Sequence, residues 1–325
     1  MKLPRRKFLQ LAGAAAVAPA FSHVAKAQTY PSRPITMIVP FAAGSFSDVV
    51  GRVLAERMKG ALGQPIIVEN VSGADGSIGV GRVARAKPDG YTIDIGTQGP
   101  HGLNAAFYSL PYDVFADFEP ISPLVPIPYV LFARKTMPTK DLNELIAWLK
   151  ANPDKASTAV TGASQRLVAM LFQKETGTRF ALVPYRGGSQ AMQDLVAGQI
   201  DMFFYALGQL PLARGGAIKA YAVTSDTRLT AAPDIPTFAE MGLPAVSYST
   251  WYGFFSPRGT PKDIVAKLNA AAVEALADPA VRSRLADLGE IFPREQQTPD
   301  ALSALVRDGA KKWWPLIKEF GITAE

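Results

Sequence analysis

Between Arg33 and Gly96 the chain alternates two kinds of apolar pattern, and this alternation limits the fold more than any other feature. The apolar run Ile35–Val39 reads as a buried strand, Val49–Leu62 as an amphipathic helix and Ile66–Glu69 as a strand. After a glycine-bearing loop come a helix over Ile78–Ala86 and a strand over Thr92–Gly96. A β-α-β-α-β series predicts a parallel sheet with right-handed crossovers, and ligands of such sheets sit beyond the carboxyl ends of the strands. Three loops end there: Phe41–Ser47, Asn70–Ser77 and Thr97–Asn104.

The first of these loops, Phe41-Ala42-Ala43-Gly44-Ser45, carries the chain through small residues straight into a helix. A helix start presents unpaired N–H groups and the positive end of the macrodipole, which suits an anion. The backbone at Ala43, Gly44 and Ser45 is therefore a candidate anion site, with Phe41 shared between core and pocket wall. Ser45 either donates its hydroxyl to a ligand carboxylate or caps the helix with Asp48, as Ser-x-x-Asp spacing allows. Asp48 in the first turn reads as a dipole-stabilising acid.

Pro120, Pro123, Pro126 and Pro128 suggest a lobe boundary. Beyond them a second α/β unit is predicted: strand Tyr129–Ala133, helix Leu142–Ala151, strand Ser157–Val160 and a helix starting at Gly162-Ala163-Ser164-Gln165. Strand Phe180–Pro184, a turn at Tyr185-Arg186-Gly187-Gly188, helix Gln190–Ala197 and strands Met202–Tyr205 and Ala220–Thr224 follow. Gly162, Ser164 and Gln165 are the natural counterpart of the first loop, and Arg166 either completes a carboxylate clamp or lies on the surface. Tyr185 is placed over the cleft, and Asp201 and Tyr205 at a strand end near ligand or hinge. After strand Trp251–Ser256 the chain is helical and needs a sheet to cover. The predicted division is 28–126 plus 253–325 as one lobe and 127–252 as an inserted second, with hinges near Pro126–Tyr129 and Tyr248–Gly253.

Residues 1–27 read as a cleaved export signal: Arg5-Arg6-Lys7-Phe8-Leu9, a short apolar stretch from Leu11 to Phe21, and Ala25-Lys26-Ala27. The paired arginines are twin-arginine-like, although Pro4 stands where that motif has Ser or Thr. Removing the segment takes five of the 34 basic residues and none of the 28 acids, so a formal +6 becomes +1. High pI is then no argument for a nucleic-acid partner. With no cysteine, stability must come from burial. The single histidine beyond the signal, His101, would have to serve any Ser-His-Asp arrangement; no Gly-x-Ser-x-Gly elbow is present, and a transition-metal site would lack ligands. A non-enzymatic chain with no metal or cofactor is expected.

Pro34-Ile35-Thr36-Met37-Ile38-Val39-Pro40-Phe41-Ala42-Ala43-Gly44, Pro88-Asp89-Gly90-Tyr91-Thr92, Leu110-Pro111-Tyr112-Asp113, Val183-Pro184-Tyr185-Arg186-Gly187-Gly188, Gly198-Gln199-Ile200-Asp201 and Gly259-Thr260-Pro261 occur in order along nearly the whole chain. Together they resemble the Bug, or TctC-like, substrate-binding receptors of tripartite tricarboxylate transporters. That resemblance implies a type II periplasmic-binding-protein fold, α/β, with two lobes closing over a small organic acid, aromatic acids included. It also implies a periplasmic, monomeric receptor that delivers its ligand to membrane subunits; the alternative role is a ligand sensor for a two-component system. The chain departs from the family pattern at Ser45, at Asp75 in Gly73-Ala74-Asp75-Gly76, and at Arg166, where the pattern has glycine, glycine and histidine. Asp75 either fills a left-handed turn position or faces the cleft. Gly76, Thr97 and His101 complete the expected pocket edge, His101 either bonding a bound acid or serving as a structural donor.

Overall fold

The computed structural model describes residues 29–286 and 291–321; the expected export signal lies outside them. The first half follows the periodicity: β1 (Ile35–Val39), α1 (Phe46–Leu62), β2 (Ile66–Asn70), α2 (Ser77–Ala84) and β3 (Thr92–Thr97). β1 lies between β2 and β3, parallel to both. The second half repeats the arrangement. There β5 (Ser157–Val160) is parallel to β6 (Ala181–Pro184) and to β7 (Met202–Ala206); α3 (Leu142–Ala151) precedes β5, and α4 (Ala163–Thr176) and α5 (Gly188–Ala197) lie between the strands in sequence.

Two long strands join the halves. β4 (Phe118–Arg134) pairs along Phe118–Pro128 with β9 (Ser249–Pro257), and its remaining residues lie between β7 and β8 (Ile218–Val223), antiparallel to both. β9 in turn pairs antiparallel with β3. The proline-rich passage expected as a boundary is thus regular strand, and the register shows how. Pro120, Pro123, Pro126 and Pro128 face Phe255, Gly253, Trp251 and Ser249, always odd-numbered positions of β9. Those positions bond toward β3, as the Trp251 carbonyl does in accepting the Gln98 N–H at 3.2 Å. In an antiparallel ladder the residues opposite them therefore point their own amides away from β9, so proline removes no ladder bond. Prolines three apart keep this phase because one residue is bulged between Pro120 and Ser122 and another between Pro123 and Val125. The carbonyls of the bulged Ile121 and Leu124 accept from Asn269 Nδ2 at 2.8 Å and the Phe292 N–H at 3.3 Å.

Each half buries both faces of its sheet. α1 with α6 (Lys262–Ala277) and α7 (Pro279–Ala286) covers one face of the first half through Leu54, Met58, Leu268 and Ala272 against Ile35, Met37, Ile93 and Ile95. α8 (Pro299–Glu319) begins on the opposite face with Leu302 and Val306. It ends on the second half, where Trp313 and Ile317 join the cluster of Leu167, Phe172, Phe204 and Phe238. The C-terminal helix therefore touches both sides of the proposed division, which the sequence pattern did not indicate.

Candidate functional site

The carboxyl ends of the parallel strands of both halves open on a shared cleft of about 110 Å³. Three helix starts meet there, one more than the sequence suggested. α1 contributes Ser45, Phe46 and Ser47; α4 contributes Gly162, Ala163, Ser164 and Gln165; α5 contributes Gly187 and Gly188. Tyr129, Tyr205 and Tyr252 also line it, and burial raises the pKa of each, so all three are neutral phenols able to donate.

The first loop is held rigid from below. Ser45 is the N-cap, its Oγ accepting the Asp48 N–H at 3.4 Å. Asp48 does more than stabilise the dipole: its carboxylate accepts from the Gly44 N–H, Arg52 Nε and Asn70 Nδ2 at 2.9, 2.9 and 3.0 Å. Burial alone would raise its pKa; these bonds outweigh it and hold the carboxyl below the ordinary range.

Of the residues singled out from sequence, Phe41, Ser45, Thr97, Gly162, Ser164, Gln165 and Tyr205 line the cleft. Gly44 lies instead in a neighbouring surface groove with Val49 and Val196, and Ala43 is exposed beside it. Gly76, at φ +83°, is packed beneath the loop against Pro40, Phe41 and Pro100.

Two placements, of Tyr185 and Asp201, correct the sequence reading, and a third gives His101 the structural role that was one of its alternatives. His101 is fully buried: its Nε2 lies 2.8 Å from Asp94 Oδ2, and its ring stacks on Phe255 at 4.0 Å. A side chain at Gly96 would fall 2.3 Å from that ring, so the glycine opens the slot that draws His101 into the core. Tyr185 donates its hydroxyl to Asp194 at 2.7 Å and does not line the cleft; its neighbour Arg186 does, exposed at the mouth and with no hydrogen bond or ion pair among the described residues. Asp201 precedes β7, at the end of the strand away from the cleft, and binds Arg134 Nε at 2.7 Å and the Ser157 N–H at 2.8 Å.

Asp75 combines both expected roles. Its backbone is left-handed (φ +50°, ψ 43°) and its Oδ2 reaches across the cleft to accept the Ala163 N–H at 2.8 Å. Burial pushes the carboxyl up to about 7, against the lowering effects of the Ala163 amide, Arg166 and Asn104. The amides of Ser164 and Gln165 remain without a partner among the described residues. Sequence reasoning passed over Ser47, Arg186 and Gly188; the visible signal was the repeated pattern of glycine immediately before an amphipathic run, used twice and present a third time at Gly187-Gly188.

Residues 50–322 match the profile of the tripartite tricarboxylate transporter family receptors, TctC. BugT of Bordetella pertussis is 35% identical over 300 residues, covering 91% of both chains. Among solved structures, the periplasmic binding protein BugD superposes with a TM-score of 0.85 at 37% identity, covering 91% of this chain and all of that one. MatC of Rhodopseudomonas palustris, solved with bound malate, gives 0.83 at 38% identity over 89% of this chain and all of that one. On these matches the chain belongs to the Bug, or TctC-like, family of tripartite tricarboxylate transporter receptors.

Proposed function

We propose that the protein is an exported, monomeric receptor that closes over one small organic acid and passes it to the membrane subunits of a tripartite transporter. The observation that carries this reading is the convergence on one cleft of three helix starts and of Arg186, which has no hydrogen bond or ion pair among the described residues. Its volume, about 110 Å³, is below the roughly 150 Å³ of an engineered cavity that holds benzene, so a short acid fits. Helix starts contribute up to about 2 kcal/mol each in partly buried geometry, and a charge-assisted hydrogen bond about 1.5–3 kcal/mol. With one α4 amide held by Asp75, two of the first and one of the second give about 5.5–7 kcal/mol, and apolar contact and water exclusion in the closed cleft supply the rest of the roughly 8 kcal/mol of micromolar binding. The malate bound to MatC is an acid of this class.

The test is a thermal-shift screen of mono-, di- and tricarboxylates and aromatic acids, with hits confirmed by calorimetry. One-to-one binding with a concentration-dependent rise in Tm is expected; no hit with any carboxylate would overturn the proposal.

A further inference from the structure

Of the three helix starts in the cleft, one has an amide taken by a carboxylate from the opposite side. At α4, Asp75 accepts the Ala163 N–H at 2.8 Å from the other half of the molecule. The placement is fixed from three sides. Ala74 and Asp75 are both left-handed, at φ 45° and 50°, so the turn aims the side chain. Asn104 Nδ2 holds the Asp75 carbonyl at 3.0 Å. Across the cleft, Gly162 leaves the space: a Cβ there would lie 2.4 Å from Asp75 Oδ1. Beside the open amides of Ser164 and Gln165, the α4 end of the cleft thus presents a carboxylate of the protein's own that, once ionised, offers a ligand an acceptor. A second ligand carboxylate placed there would meet a like charge and lose the amide that Asp75 holds.

We infer that Asp75 is a specificity-determining residue that makes this receptor select a monocarboxylate bearing a hydroxyl or amino group at its far end, and reject the dicarboxylate of equal length. The ligand's single carboxylate goes to Arg186 and the starts of α1 and α5, and its donor goes to Asp75. This rests on the carboxylate-receptor reading above and adds the class of acid.

The experiment uses matched probes by calorimetry at pH 8 and fixed ionic strength: succinate against 4-hydroxybutyrate and 4-aminobutyrate, and adipate against 6-hydroxyhexanoate and 6-aminohexanoate. Wild type is compared with Asp75→Gly, which keeps the left-handed turn and frees the Ala163 amide, and with Asp75→Asn, which keeps the shape and removes the charge. At one of the two lengths wild type should prefer the hydroxy or amino acid at least tenfold, and both variants should shift that ratio at least tenfold toward the dicarboxylate. Gly162→Ala, which moves the carboxylate without deleting it, should shift the ratio in the same direction. A wild type that binds the dicarboxylates as tightly as their partners, or a ratio unchanged in both Asp75 variants, overturns the inference and leaves the carboxylate receptor standing. Binding of none of the six probes by wild type or variants overturns the inference, and an empty result in the wider carboxylate screen as well overturns both.

Discussion

Asp75→Asn should make the fold more stable at neutral and alkaline pH, and the size of the gain follows from the site. The Asp75 carboxyl is raised from 3.8 to about 7, first by burial, with the Ala163 amide, Arg166 and Asn104 offsetting only part. The folded chain therefore holds this proton when the unfolded chain has released it. Below about pH 4 the group is protonated in both states and contributes nothing to the pH dependence. As pH rises toward 7 the unfolded state gains from ionisation while the folded state does not, so stability falls. At about 1.4 kcal/mol per pH unit, the interval of roughly three units sets a ceiling near 4 kcal/mol. Asn accepts the left-handed backbone, and its amide oxygen can still take the Ala163 N–H without carrying charge. Urea unfolding of both proteins by tryptophan fluorescence at constant ionic strength, from pH 4 to pH 8, isolates the effect, because every other carboxylate is common to the two chains. The difference in unfolding free energy, variant minus wild type, should climb through pH 4–7 and level off above. A flat difference, or one that falls as pH rises, would show that the ionised carboxylate is favoured at the α4 start and would refute the reasoning.

Arg186→Gln should weaken binding of any carboxylate hit roughly 10- to 150-fold, the equivalent of one charge-assisted hydrogen bond, with calorimetry as the readout and unfolding unchanged. Ser164→Trp should abolish binding while circular dichroism stays native, since the indole fills the α4 side of the cleft. His101→Ala should cost about 3–5 kcal/mol by leaving Asp94 buried without its partner, and the double change with Asp94→Val should recover part of that loss in the same urea assay.

The first half of the fold was legible because its strands and helices differ in apolar period, and β1, α1, β2, α2 and β3 fall where the pattern puts them. β4 was not legible across its prolines. Whether a proline harms a strand depends on which neighbour its missing amide would have faced, and that phase is set by β9, more than 120 residues away. At the site, Gly162–Gln165 was visible as a helix start. His101 stayed open between ligand contact and structural donor because a histidine beside glycines at a strand end looks the same facing in or out; the slot at Gly96 decides for the structural role. For Asp75 the left-handed turn was readable from a residue standing in place of glycine, whereas its bond to Ala163 spans 88 residues and exists only in the assembled fold.

The same prolines have a consequence for the side of β4 that faces away from β9. Along Phe118–Pro128, among the described residues, only β9 pairs with β4; the other side of the strand, where a second chain would add to an open sheet edge, is covered, with Ile121, Ser122, Pro123, Leu124 and Val125 all buried. Here four residues have no amide to offer, the two bulges break the repeat, and the carbonyls of Ile121 and Leu124 are already taken by Asn269 and Phe292. At these four positions the joint between the halves thus leaves no amide in want of a strand partner. Replacing Pro123 with valine should leave the β9 ladder intact but bury an amide with no strand partner, a loss of about 1–3 kcal/mol in urea unfolding.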